Sequence, residues 1–164
     1  MTDEGIKVTL KEIFKSTVPF KDSHEADSLF FNCCDFRFRK QSQEFLGDRL
    51  MDPFVFPGGI MLFVGGKHGH ADLKDGTLYW TKAMVKLHHV KEIKLVIHKD
   101  CGAYKAAPAL AGKSPEEMYN IQMRDIKEVK EMLSKEIPEV TVTAYYMDLA
   151  RETGEVTYNE ISFE

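Results

Sequence analysis

The stretch Glu92–His98, EIKLVIH, constrains this chain most. It is a β-branched run that ends on a histidine, and it reads as a strand. The segments on either side read as helices. Upstream, Leu78, Ala83, Met84, Leu87 and Val90 recur near helical spacing, which predicts an amphipathic helix over 78–90. Downstream, Ser114 suits an N-cap, Pro115 the first helical position and Glu117 the third residue of a capping box. Met118, Ile121, Asp125, Ile126, Val129 and Leu133 then trace a mostly apolar face, and Pro138 stops the helix. VTVTAYYM (140–147) follows as a further strand. Strands alternating with helices imply an α/β fold around a mainly parallel sheet.

SLFFNC (28–33) reads as a buried strand after the polar KDSHEAD, and DPFVFPGG holds a second, cut by Pro57 and the glycines after it. IMLFVGG is compatible with a strand or a core loop. CGAYKAAPALAG has room for a short helix limited by Pro108. GEVTYNEI, after an ETG turn, can pair with the preceding strand as an antiparallel edge. The expectation is about four mainly parallel strands plus that edge strand, flanked by helices. No repeat or linker-like tract divides the 164 residues, so 1–164 reads as a single domain.

Composition narrows the function classes. A net charge of −4, with acids and lysines interspersed, argues against a nucleic-acid surface. No apolar run approaches the roughly 20 residues that span a bilayer, so no membrane partner is expected. MTDEGIKVTL lacks the basic start and apolar stretch of a signal peptide. Three cysteines, two of them adjacent, do not make a disulfide framework. Thiols used for a metal or for catalysis in a reducing, cytoplasmic setting fit better.

Cys33 and His98 each end an expected strand, and ligands of parallel sheets gather at the carboxyl ends of strands. Strand parity puts Cys33, Asp35 and Arg37 on one side and Cys34, Phe36 and Phe38 on the other. It ranks Cys33 as the site cysteine and Cys34 as a packed one. In HKDCG, His98 and Cys101 stand three apart just past a strand, and a helix starting near Cys101 would favour its thiolate. Zinc takes thiolate and imidazole ligands, and its catalytic sites commonly keep three protein ligands. Cys33, His98 and Cys101 make such a set.

The pair of patterns C-x-D-x-R (Cys33, Asp35, Arg37) and H-x-x-C-G (His98, Cys101, Gly102) resembles the β-class carbonic anhydrases. DPFVFPGG, MVKLHHVKEIKLVIHKDCGA and YYMDLARETGEV resemble further segments of that family, so the likeness runs from about Ser28 to about Val156. It implies zinc on Cys33, His98 and Cys101, with Asp35 and Arg37 as a catalytic pair. The implied activity is reversible hydration of carbon dioxide to bicarbonate by a zinc-bound hydroxide. Asp35 would accept a hydrogen bond from the attacking water, and Arg37 would keep Asp35 ionised. In some members the aspartate instead takes the fourth zinc position. The resemblance further implies an N-terminal helical arm, here 1–27 before an α/β core at 28–164, and a homodimer or higher homo-oligomer. Three departures reshape the pocket walls: Phe36 where serine is usual, Ile97 where glycine is usual, and Phe56-Pro57-Gly58-Gly59 where arginine-asparagine-alanine-glycine is typical. They leave open carbonyl sulfide or carbon disulfide hydrolysis on the same site, and a zinc-binding regulatory protein without turnover.

Other candidates have plainer readings. His68 and His70 in GGKHGH read as an exposed loop, His88 and His89 as surface or edge residues, and His24 as unpartnered. Gly112-Lys113-Ser114 lacks the upstream glycine spacing of a phosphate-binding loop. Tyr104 and Lys105 can line a site mouth or pack at a helix start. Trp80, Phe54 and Phe56 suit a core or a dimer contact.

Overall fold

The computed structural model describes residues 11–18 and 22–164. Its five strands are β1 (Ser28–Cys33), β2 (Met51–Phe56), β3 (Glu92–His98), β4 (Thr141–Ala150) and β5 (Glu155–Glu160), in the spatial order β2-β1-β3-β4-β5. β2, β1, β3 and β4 are parallel, and β5 runs antiparallel to β4. Four parallel strands and one antiparallel edge are the architecture expected from the sequence.

The helices are α1 (Arg39–Leu46), α2 (Met61–Val64), α3 (Lys74–Leu87), α4 (Gly102–Lys105) and α5 (Pro115–Glu136). The central strands are covered on both faces, and their side chains alternate between two clusters. Leu29, Phe31, Ile93, Leu95 and Ile97 pack with Val85 of α3 and with Ile126, Val129 and Leu133 of α5. Phe30 and Val96 face the other way, against Phe38, Leu46 and Met147. That second face has α1 as its helical cover. Lys94 is buried beneath it, paired with Glu92 and 5.8 Å from the Tyr145 ring centroid.

Helix α1 is not announced by the sequence, because RKQSQEFL is largely polar and buries only Ser42 and Leu46. IMLFVGG is neither strand nor loop: α2 and a 3-10 turn over Gly65–His68 take it. Pro115 and the capping box of Ser114 and Glu117 open α5 as expected. Of the helical arm expected over 1–27, residues 11–18 and 22–27 carry no helix, and 1–10 and 19–21 lie outside the described residues. Ile13 and Phe14 are exposed, so this segment lacks the packed face that sustains a short helix. Among the described residues, no helix is long and apolar enough to cross a membrane.

Leu133 of α5 is fully buried. Leu133→Ala should destabilise the fold by about 2–5 kcal/mol. Urea denaturation would show this as a lower midpoint with an unchanged slope; an unchanged midpoint would contradict the packing described.

Candidate metal centre

From β1 the chain moves outward to β2, whereas from β3 it moves the opposite way, to β4. Such a reversal opens a crevice at the carboxyl ends of the two strands. Cys33 is the last residue of β1 and His98 the last of β3. Lys99 and Asp100 turn the chain after β3, with Asp100 in the left-handed region at φ 63°, and deliver Cys101 to the N-cap of α4. One ligand atom each from Cys33, His98 and Cys101 lies within 4.8 Å of the others. Among the described residues, this is the group of His, Cys, Asp or Glu side chains close enough to hold a metal ion.

Each candidate ligand is held from behind. His98 is buried, and its Nδ1 lies 2.9 Å from the Lys99 carbonyl. A carbonyl only accepts, so Nδ1 carries the proton and Nε2 presents a lone pair. That Nε2 is buried without a hydrogen-bond partner. Gln122 of α5 donates from Nε2 to the His98 carbonyl at 3.1 Å. The Gly58 N–H donates to Cys33 Sγ at 3.2 Å. Gly59 lies so close to the sheet that a Cβ there would stand 3.1 Å from the Val96 oxygen and 3.2 Å from the Cys33 nitrogen, at φ 58°. The Phe56-Pro57-Gly58-Gly59 departure therefore cradles the first ligand.

The two site sulfurs are 3.9 Å apart, close enough for a thiol on either one to donate to the other, so they share one proton once the first is lost. That contact pushes Cys33 up to about 12 and, with the N–H groups of Tyr104 and Ala103, brings Cys101 down to about 7. The pair thus gives up its protons in two widely separated steps. Two sulfurs and an unpartnered imidazole nitrogen are a donor set suited to zinc or another thiophilic ion.

Asp35 and Arg37 meet, but not by strand parity. The strand ends at Cys33, and Asp35 caps a 3-10 turn over Phe36–Phe38, accepting the Arg37 N–H at 3.1 Å. The Arg37 guanidinium grips the carboxylate through Nε at 2.9 Å and Nη2 at 2.5 Å. This bidentate contact lowers the Asp35 pKa and keeps it ionised at neutral pH. Asp35 does not belong to the group that can share an ion. The same turn corrects the reading of Cys34 as a packed residue. Once the backbone leaves extended geometry, Cys34 is exposed, Phe36 is 85% exposed, and of the three only Phe38 is buried.

His68 is also corrected: it is buried, with Nε2 2.7 Å from Asp125 Oδ2, while Lys67 reaches Asp125 Oδ1 at 2.9 Å. Asp125 was the available signal, a carboxylate on an otherwise apolar helix face, which requires a partner once buried. His70 is exposed, 3.2 Å from the Ala103 carbonyl. His88 contacts Asp52, and the His24 and His88 rings lie 6.3 Å apart. Tyr104 packs in the core rather than at a mouth, its hydroxyl without a partner. Phe54 stacks on Phe31, whereas Trp80 stays exposed. Nothing in the sequence marked Gln122.

No family model matches the chain. An uncharacterized protein of Rickettsia bellii is 25% identical over 151 residues, covering 87% of this chain and 88% of that protein. Among solved structures, a β-carbonic anhydrase of Trichomonas vaginalis is similar with a TM-score of 0.54 at 15% identity, covering 90% of each chain. A tetrameric β-carbonic anhydrase of Sordaria macrospora gives 0.53 at 12% identity, covering 84% of this chain and 83% of its own. The fold is that of the β-carbonic anhydrases. An apo carbon disulfide hydrolase also shares it, with a TM-score of 0.50 at 17% identity, covering 81% of this chain and 79% of its own.

Raising the pH of metal-free protein through about 7 should create one thiolate, seen as absorbance near 240 nm, in a Cys34→Ser background. Cys101→Ser should abolish that step. A first thiolate appearing only above pH 9 would contradict the shared proton.

Proposed function

We propose that the protein is a zinc lyase that interconverts carbon dioxide and bicarbonate. The observation that carries this reading is the convergence of Cys33, His98 and Cys101 within 4.8 Å, beside an aspartate that an arginine holds ionised. Zinc, when bound by these three residues, supplies Lewis-acid activation of water near neutral pH.

The chain's own groups do the rest. Two thiolates offset the charge of the ion, and the Gly58, Ala103 and Tyr104 N–H groups hold those sulfurs in place. The Lys99 carbonyl fixes the His98 tautomer that offers Nε2. Asp35 accepts a hydrogen bond from the attacking water and so aims an oxygen lone pair at the substrate carbon. Arg37 keeps the carboxylate anionic and anchored. The exposed Phe36 and Val55 supply an apolar surface that a second copy of the chain would cover, in a homodimer or larger homo-oligomer.

The same site suits a neighbouring reading, hydrolysis of carbonyl sulfide or carbon disulfide. A cavity of about 330 Å³ is lined by Phe56, Pro57, Met61, Leu73, Ala103 and Ala106, together with His70 and Ala71. Pro57 precedes Gly58, and Ala103 lies two residues beyond Cys101, so an apolar wall flanks the ligand set. Carbon dioxide and the two sulfur analogues are all small and lack charge, and direct assays with each gas separate them.

Stopped-flow hydration of carbon dioxide by fully zinc-loaded protein should run well above the uncatalysed rate. Background rate for all three gases at full metal occupancy would falsify the lyase and hydrolase readings together. Asp35→Asn should retain zinc yet lower the hydration rate at least about 100-fold, within the range of positioned acid–base groups. An unchanged rate would remove Asp35 from the mechanism.

A further inference from the structure

A cavity of about 710 Å³ lies apart from the candidate metal centre. It opens at the carboxyl ends of β3 and β4, beside the first turn of α5, and neither the three ligands nor Asp35 and Arg37 line it. Its volume falls within the range typical of small-molecule sites.

Its lining sets the sign of the ligand's charge. Lys99, Lys105, Lys113 and Arg151 stand against two lining carboxylates, Asp100 and Asp148, so the cavity is cationic in a chain whose net charge is −4. Asp100 takes both Lys105 and Arg151, while Lys99 reaches Asp148 at 3.0 Å. Lys113 reaches Glu117, outside the lining, at 2.9 Å. Each cation keeps donors to spare, because an ammonium has three and a guanidinium five. The positive end of the 22-residue α5 adds to the same field.

Part of the lining is aromatic. Tyr119 and Tyr146 meet edge to face with centroids 5.2 Å apart, and Met118 lies beside them. Cations and a tyrosine pair lining one cavity match a flat ring that carries a compact anion.

We propose that this cavity binds a small organic anion, a phosphate monoester borne on an aromatic or heterocyclic ring. The phosphate sits among Lys105, Lys113 and Arg151, and the ring packs on Tyr119 and Tyr146. The site shares Asp100 with the loop between His98 and Cys101, and Gln122 of α5 with the support behind His98, but it does not rest on the lyase reading.

Calorimetric titration of the full chain with phenyl phosphate, inorganic phosphate and phenol tests this. Phenyl phosphate should saturate one site per chain. Inorganic phosphate should bind at least about tenfold more weakly, and phenol should not saturate at millimolar concentration. Lys113→Gln combined with Arg151→Gln should weaken phenyl phosphate at least about tenfold, through lost charge-assisted contacts. Tyr119→Ala should weaken phenyl phosphate but not inorganic phosphate. If the double variant fails to fold, Lys113→Glu alone, at an exposed position, should give the same direction. Absence of saturation by phenyl phosphate, or equal binding by the charge variants, overturns the proposal. Equal affinity for inorganic and phenyl phosphate does so too, because the tyrosine wall would then have no part.

Discussion

The register of β1 against β3 governs everything built at the candidate metal centre. Ser28 stands opposite Glu92 and Phe31 opposite Leu95, and continuing that offset puts Cys33 level with Ile97, one step short of His98. A slip of two residues would move the cysteine by about 6.6 Å, more than the whole span of the ligand group. A slip of one would turn Leu29 and Phe31 out of their cluster and Phe30 into it. The same alternation that buries these phenylalanines therefore sets the distance between two ligands, and core packing and site geometry are one constraint.

Helix α5 transmits that order from behind the sheet. Its apolar stripe fixes it against β3, and two polar residues on that buried side, Gln122 and Asp125, reach in opposite senses. Gln122 holds the His98 carbonyl, while Asp125 ties down Lys67 and His68 in the segment after α2. A buried carboxylate with both partners in place contributes little net stability, yet removing one partner leaves a charge that the interior cannot solvate. The arrangement fixes the positions of α2, α5 and the ligand loop relative to one another more than it strengthens the fold.

Most of the architecture was legible because it rests on local patterns. β3 and the capping box at Ser114 declare themselves by residue type and spacing, and so does the edge strand after the ETG turn. The three candidate ligands were legible because Cys33 and His98 each end a strand and Cys101 follows His98 by three residues. What the sequence hid depends on partners distant along the chain. His68 looked like a loop residue because Asp125 lies 57 positions away. The polar α1 was missed because it is held by tertiary contacts such as Phe45 stacked on Tyr158, at 4.1 Å. Parity failed at Cys34 because a 3-10 turn begins where the strand stops. Asp35 and Arg37 still meet, through a side-chain cap two residues long rather than through a shared strand face.

The two margins of the sheet carry residues that discourage further strands. Pro53 sits in the outer strand β2 and lacks an N–H, and β5 begins and ends with Glu155 and Glu160. An incoming strand would lose a backbone donor at one margin and meet like or desolvated charge at the other. Among the described residues both margins are open, and a margin of this length invites edge-to-edge aggregation, which these few residues oppose.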